Sequence, residues 1–320
     1  MTLASAPFFA DLAEGPAEAR GWWVQADDGL RLRVAHYPSD EARGTIFLFP
    51  GRTEYVEKYG RTADDFAARG YHTLTIDWRG QGMADRMLDD RLAGHVAVFE
   101  DYQRDVAAMM RAAEQLDLPR PYHLIGHSMG GAIGLRAVIN GLPVASCAFT
   151  GPMWGIKMRQ AIRPAAWALS WSSKQVGLSH LFAPGTGIES YTATGAFEDN
   201  TLTTDPDMWD YMRRQVLAQP ELQLGGPSMH WLHEALAECW ALSRLPSPRV
   251  PCLTYCGTNE RIVDVPRIAD RMARWPNGRL EMLDGAEHEI LMERPEIREV
   301  VIAGLTAHFD RAGEAPALSA

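Results

Sequence analysis

Lysine, cysteine and long apolar runs are what this 320-residue chain has least of. Its only lysines are Lys58, Lys157 and Lys174, so its basic side chains are almost all arginine. With 31 basic against 41 acidic residues the formal net charge is −10, and no basic stripe offsets it. That balance argues against a nucleic-acid partner and against strong attraction to anionic lipid, since both need clustered cations. Transient membrane-surface contact through an apolar patch stays open. Cys147, Cys239, Cys252 and Cys256 lie in apolar or amphipathic stretches. They read as small buried hydrophobes, not as a disulfide framework or a zinc pair. His230-Trp231-Leu232-His233 lacks the H-E-x-x-H arrangement, so neither a metal nor a cofactor is expected. Residues 1–20 show no basic start followed by an apolar core, and no apolar run reaches about 18 residues. The expectation is a cytoplasmic chain without a secretory signal or a membrane span.

What is present centres on Gly126-His127-Ser128-Met129-Gly130. The apolar run Tyr122–Ile125 before it reads as a buried strand, and the small-residue stretch from Met129 to Asn140 as a closely packed helix. A sharp strand-to-helix turn strains its central residue and admits only glycine two residues to either side. It lifts the Ser128 hydroxyl to a helix N-terminus, where free N–H groups stabilise developing negative charge. Ser128 is therefore the candidate nucleophile.

A nucleophilic serine needs a base, and the base an orienting acid, in the chain order Ser, Asp/Glu, His. His288 follows the strand-like Gly278–Leu283 and precedes a helical pattern at 295–310, in the loop position where α/β enzymes gather their chemistry. It is assigned as the base. The run Pro251–Cys256 ends at Gly257, and two carboxylates follow it, Glu260 and Asp264. Glu260 stands nearer the strand end and is assigned as the acid. Asp264 precedes Val265-Pro266 and reads as a helix N-cap.

Strand patterns at 22–26, 30–37, 45–49, 72–76, 122–125, 144–149, 252–256 and 279–283 alternate with helical patterns at 59–69, 99–116, 129–140, 265–275 and 295–310. Such alternation implies a mainly parallel sheet covered on both faces. Between Pro152 and Leu245 the strand rhythm stops, and this stretch holds six of the ten tryptophans. It reads as an inserted helical cap at 152–245, with 21–151 and 246–311 forming the core, 1–20 an N-terminal extension and 312–320 a flexible tail. Trp231, Leu232, Ala235, Leu236, Cys239 and Trp240 make one apolar stripe at helical spacing.

These segments resemble an α/β-hydrolase of the lysophospholipase and monoacylglycerol lipase type, a group classed with serine aminopeptidases. The resemblance rests on Phe49-Pro50-Gly51-Arg52-Thr53-Glu54-Tyr55, Asp77-Trp78-Arg79-Gly80-Gln81-Gly82, the Ser128 turn, Gly285-Ala286-Glu287-His288-Glu289 and, more narrowly, Gly225-Gly226-Pro227-Ser228-Met229-His230-Trp231. It implies an eight-stranded sheet with an antiparallel first hairpin. Two positions depart from the family pattern: Pro50-Gly51 stands where His-Gly is usual, and Glu260 where the acid is usually Asp.

The oxyanion hole is expected from backbone N–H groups of Met129, directly after the nucleophile, and Arg52, in the loop after the strand at 45–49. Pro50 has no N–H to give. The Arg52 side chain reads as surface-solvated, with a polar head group as the alternative. Trp154 and Trp231 are placed in an apolar acyl wall. Asp77 and Arg79 read as structural ties between loops. The expected activity is hydrolysis of a carboxylic ester of a small-molecule or lipid substrate, a lysophospholipid or monoacylglycerol by resemblance. Two other readings stand beside it. An aminopeptidase of the same fold would bind an ammonium group through cap carboxylates such as Glu189, Glu198 or Glu234, and a non-catalytic receptor would only hold its ligand. A dehalogenase or epoxide hydrolase needs Asp where Ser128 stands.

Overall fold

The computed structural model describes residues 3–159 and 161–313. Nine strands form one sheet: β1 (Ala4–Ala6), β2 (Arg20–Gln25), β3 (Arg31–Tyr37), β4 (Gly44–Phe49), β5 (Tyr71–Asp77), β6 (Tyr122–His127), β7 (Ser146–Thr150), β8 (Cys252–Gly257) and β9 (Gly278–Leu283). Their order is β1-β2-β3-β5-β4-β6-β7-β8-β9. Pairing is antiparallel from β1 through β5 and parallel from β5 to β9. The helices are α1 (Ala10–Ala13), α2 (Gly60–Ala67), α3 (Tyr102–Gln115), α4 (Met129–Ile139), α5 (Arg163–Gln175), α6 (Tyr191–Thr194), α7 (Pro206–Ala218), α8 (Met229–Arg244), α9 (Val265–Ala273) and α10 (Pro295–Gly313). The architecture is that of an α/β-hydrolase.

The sheet has nine strands instead of the expected eight. The extra one, β1, lies in the segment read as an extension and pairs Ala4 with Trp23 and Ala6 with Gly21. Ala-Ser-Ala carries no alternation and no β-branched residue, so its strand state comes from the partner edge. The strand at 22–26 is thus not the sheet's edge. The predicted tail at 312–320 falls partly in α10, which runs to Gly313; the remainder lies outside the described residues.

Central strands β4, β6, β7 and β8 are buried at every position, as parallel strands with helices on both faces must be. On one face Phe47, Phe49, Leu124 and Phe149 pack with Ile133, Leu135 and Trp78. On the other, Ile46, Leu48, Ile125 and Leu253 meet Phe66, Ile302 and Phe309. Between β7 and β8 the chain leaves the sheet and forms α5 to α8. Helix α7 starts at Asp205, whose side chain accepts from the Asp207 N–H, with Pro206 first in the helix. Helix α8 starts at Ser228, which accepts from the Trp231 N–H. Both are ordinary N-caps. No helix among the described residues is long and apolar enough to cross a membrane.

Asp77 and Arg79 do tie loops. Asp77 bonds the Arg33 guanidinium at 2.7 Å and takes the Val56 and Met83 N–H groups at 2.8 Å. Arg79 is clamped by Asp105 and Asp28. Their neighbours reach further: Trp78 donates to the Pro50 carbonyl at 2.9 Å and Gln81 to the Gly51 carbonyl at 3.2 Å. The loop that lacks the usual His-Gly start is therefore fixed from outside itself.

Candidate active site

The Ser128 turn is built by exclusion of side chains around it. A Cβ on Gly130 would run into the Phe49 carbonyl, and one on Gly126 would meet the Gly130 oxygen at 2.8 Å. Ser128 itself sits at φ 51° and ψ −116°, a strained conformation for a residue with a Cβ. Its carbonyl accepts from Gly131 at 2.9 Å and Met153 at 2.8 Å, and its N–H donates to Thr150 at 3.1 Å. The strained residue is held on three sides.

Three of the predicted residues meet here. Ser128 Oγ lies 2.8 Å from His288 Nε2, and His288 Nδ1 lies 2.6 Å from Glu260 Oε2. All three are nearly or fully buried. The other Glu260 oxygen accepts from the Ile262 and Val263 N–H groups at 2.6 and 3.0 Å. Burial opposes charge on Glu260, but the His288 hydrogen bond and these N–H groups outweigh it and hold its pKa below the ordinary 4.5. The acid is ionised and its geometry locked. Asp264 stands at the N-cap position of α9, yet its side chain makes no capping bond; it pairs with Arg163 of α5 at 2.8 Å. Of the two candidate carboxylates, Glu260 is the one bonded to His288.

Met129 and Arg52 flank the serine. Among the described residues neither backbone N–H donates to another group of the chain. The loop carrying Arg52 is set by Glu54, whose Oε2 accepts from the Gly51 N–H.

A cavity of about 280 Å³ opens above Ser128 and His288, with Met153, Ile156, Met212, Trp231, Leu232 and Val263 among its apolar walls. Of the two tryptophans placed in an acyl wall, Trp231 lines this cavity and Trp154 does not. Its indole donates to the Gly131 carbonyl at 3.0 Å, packs edge-on against Phe149 and stacks on Trp275. It backs α4 and borders a separate small cavity with Trp167 and Trp240. Two residues past Pro152 the chain still lies against α4, and the indole turns to that helix while the neighbouring Met153 lines the cavity.

Residue-by-residue motif reading missed a buried charge cluster beside the triad. Lys58 Nζ lies 2.7 Å from Glu54 Oε1 and 2.6 Å from Glu289 Oε2. His127 Nε2 is 3.4 Å from Glu54 and 3.1 Å from Glu289, without hydrogen-bond alignment. The His127 ring is 4.9 Å from that of His288. Burial opposes charge on His127, yet Glu289 and Glu54 outweigh it and raise its pKa. Burial likewise opposes charge on Glu289, but His127 and Lys58 hold its pKa well below the ordinary range. Two anions thus balance two cations. Glu54, His127 and Glu289 are also spaced as metal ligands, but the cation their carboxylates share is the Lys58 ammonium. The available sequence signal was adjacency: His127 and Glu289 adjoin the candidates Ser128 and His288, and Glu54 lies two residues past Arg52.

The family pattern of the serine aminopeptidases, S33, matches residues 40–295. Lysophospholipase L2 of Escherichia coli K12 is 31% identical over 320 residues, covering 95% of this chain and 92% of that protein. Probable lysophospholipase L2 of Haemophilus influenzae is 28% identical, covering 90% of each. Among solved structures, a soluble variant of the Saccharomyces cerevisiae monoglyceride lipase superposes with a TM-score of 0.70 at 19% identity, covering 90% of this chain and 94% of that one. By sequence match over most of its length, and by a fold shared with lipases, the chain belongs to the serine aminopeptidase S33 family of α/β-hydrolases.

Proposed function

We propose that this chain hydrolyses the acyl ester of single-chain glycerolipids, lysophospholipids above all, through an acyl-enzyme on Ser128. The observation that carries the reading is a serine–histidine–glutamate relay, at 2.8 and 2.6 Å, opening into an apolar cavity. His288 Nε2 takes the Ser128 proton as Oγ adds to the ester carbonyl. The Arg52 and Met129 N–H groups receive the oxyanion, and Glu260 stabilises the imidazolium. His288 then passes the proton to the departing glycerol oxygen. Water, deprotonated by the same nitrogen, releases the fatty acid and restores Ser128. The insertion at 152–245 acts as a cap whose apolar side holds the acyl chain.

An amine-recognising peptidase would need an unpaired carboxylate in the cavity. Glu189 and Glu198 are exposed, and Glu234 pairs with Lys174 at 2.8 Å. None of the three lines the cavity, and Glu54 and Glu289, which do, are engaged by Lys58. These positions favour the ester reading.

The test is a panel of lysophospholipids and monoacylglycerols of increasing chain length, with an aminoacyl anilide beside them. Ester turnover that rises with chain length supports the proposal. Turnover of the anilide alone rejects it, and turnover of nothing points to a receptor. Within the panel, Trp231→Ala should cut kcat/KM for long chains by roughly 15-fold relative to short ones, the effect of two lost methylene contacts at about 0.8 kcal/mol each. Equal losses at all lengths would assign Trp231 to packing alone.

A further inference from the structure

The cavity holds one cation that no acid neutralises. Buried arginines elsewhere are paired: Arg33 with Asp77 and Glu57, Arg79 with Asp105 and Asp28. Arg271 has no carboxylate but satisfies its guanidinium on the Leu242 and Leu245 carbonyls and Ser247. Arg52 has neither solution. Among the described residues its side chain makes a single hydrogen bond, Nη2 to the Gly225 carbonyl at 2.5 Å, and its Nε is buried without a partner. A guanidinium carries five N–H donors, so most of its hydrogen-bonding capacity is unused. Burial without a countercharge pushes its pKa down to about 10.

The side chain is nevertheless held in place. Its guanidinium lies over the Trp231 ring at 5.3 Å, a cation–π contact. Gly94 closes the other side, where a Cβ would come within 2.6 Å of Nη2. Gly94 accepts from the Ser228 N–H and donates to the Gly226 carbonyl, at 2.8 and 3.0 Å. The Gly225-Gly226-Pro227-Ser228-Met229-His230-Trp231 motif thus supplies the carbonyl and the aromatic face, and pins the Gly94 backbone, that together seat one arginine in the cavity. Glu54, the nearest acid on the same loop, is taken up by Lys58, Tyr59 and the Gly51 N–H.

We propose that the Arg52 guanidinium, seated by this motif, is the specificity-determining residue that binds the phosphate of a lysophospholipid; the proposal rests on the ester-hydrolase reading above. A phosphate diester offers the planar, charge-assisted acceptor pair that a guanidinium fork fits. The reach is right in kind. Three glycerol carbons separate ester from phosphate, and the guanidinium hangs on three methylenes from the residue whose own N–H faces the oxyanion.

The experiment compares 1-decanoyl lysophosphatidylethanolamine with 1-decanoylglycerol, below micellar concentrations, in wild type, Arg52→Lys and Arg52→Met. The ratio of the two kcat/KM values is independent of how much of each preparation is folded. Arg52→Met should lower that ratio by about 10- to 100-fold, and Arg52→Lys by less, because a point charge remains. Equal loss on both substrates overturns the proposal, as does an unchanged ratio. A second arm does not depend on turnover: calorimetric binding of the non-hydrolysable ether analogues of both lipids to Ser128→Ala protein, with and without Arg52→Met. Selective weakening of the phosphate-bearing ether supports the assignment even if wild type hydrolyses neither ester, the result that would reject the hydrolase reading. Equal weakening of both ethers, or none, overturns it. If Arg52→Met does not fold, Arg52→Lys carries both arms.

Discussion

Replacing Ser128 with alanine lowers kcat on every ester by roughly ten-thousandfold or more, and adding His288→Ala makes the protein little worse. The two residues act as one unit, since the base has nothing to activate once the hydroxyl is gone. Non-additivity is therefore the sharper result; losses that multiply would show that His288 is not the base. Glu260→Gln belongs to the same unit, because the carboxylate accepts a hydrogen bond from His288 Nδ1 at 2.6 Å and an amide there stabilises neither the right tautomer nor the imidazolium. It should cost kcat orders of magnitude with a nearly unchanged melting curve. Asp264→Asn is the control. Asp264 touches Arg163 in a partly exposed pair worth about 1 kcal/mol at most, so kcat stays near wild type. Loss in Asp264→Asn with activity in Glu260→Gln would reverse the assignment.

The largest loss of stability is expected from Lys58→Met. It leaves Glu54 and Glu289 buried, facing each other with only His127 between them. Removing one partner from a buried charge set costs about 3–5 kcal/mol, a fall in Tm of roughly 6 °C for a chain of this size. Adding Glu289→Gln restores the charge balance and should recover part of that loss; a double variant less stable than Lys58→Met would refute a balanced quartet. The cluster also shapes the pH dependence of stability. Glu289 has a depressed folded pKa, so its contribution is complete above its ordinary 4.5 and is lost as pH falls well below that. His127 has a raised folded pKa, so its contribution is complete below its ordinary 6.5 and is lost as pH rises through the folded value. Together they place a plateau between those two pH values, with stability declining on either side. Guanidinium melts of wild type and His127→Gln across that range test it: the alkaline decline should flatten in the variant.

The Ser128–His288–Glu260 grouping was legible because each member announces itself locally. Ser128 stands between glycines that close approach demands, His288 sits after a strand, and Glu260 lies just past a strand's end. Alternating strand and helix patterns likewise disclosed the sheet from β2 to β9. What stayed hidden depends on distance in sequence. β1 is a strand only because β2 offers an edge, and nothing in Ala-Ser-Ala says so. Lys58, Glu54, His127 and Glu289 look like four ordinary polar residues until the fold brings 231 positions of separation down to a hydrogen bond. Trp154 was misplaced because tryptophan content marks the insertion as a whole, whereas direction of approach decides which indole sees the serine. The Arg52 side chain was read as solvated for a similar reason: the carbonyl and ring that seat it come from residues 225 and 231.

The stretch 199–204 of the insertion is stitched to the loop that bears the base. Arg261 bonds Asp199 at 2.7 Å and the Asn200 carbonyl at 2.5 Å, the Glu289 N–H reaches Leu202 at 2.7 Å, and Thr203 bonds the Met292 carbonyl at 2.6 Å. On the other side α5 reaches the core through one partly exposed ion pair, Arg163–Asp264, while Lys174–Glu234 ties α5 to α8 within the insertion. Lifting the insertion as one rigid plate would pull on the His288 loop through that seam. The opening expected on substrate entry is therefore at the α5 side, with the seam at 199–204 kept shut. Such an opening would leave the contacts around His288 undisturbed, and slow amide exchange at Glu289 beside fast exchange in α5 is its expected signature.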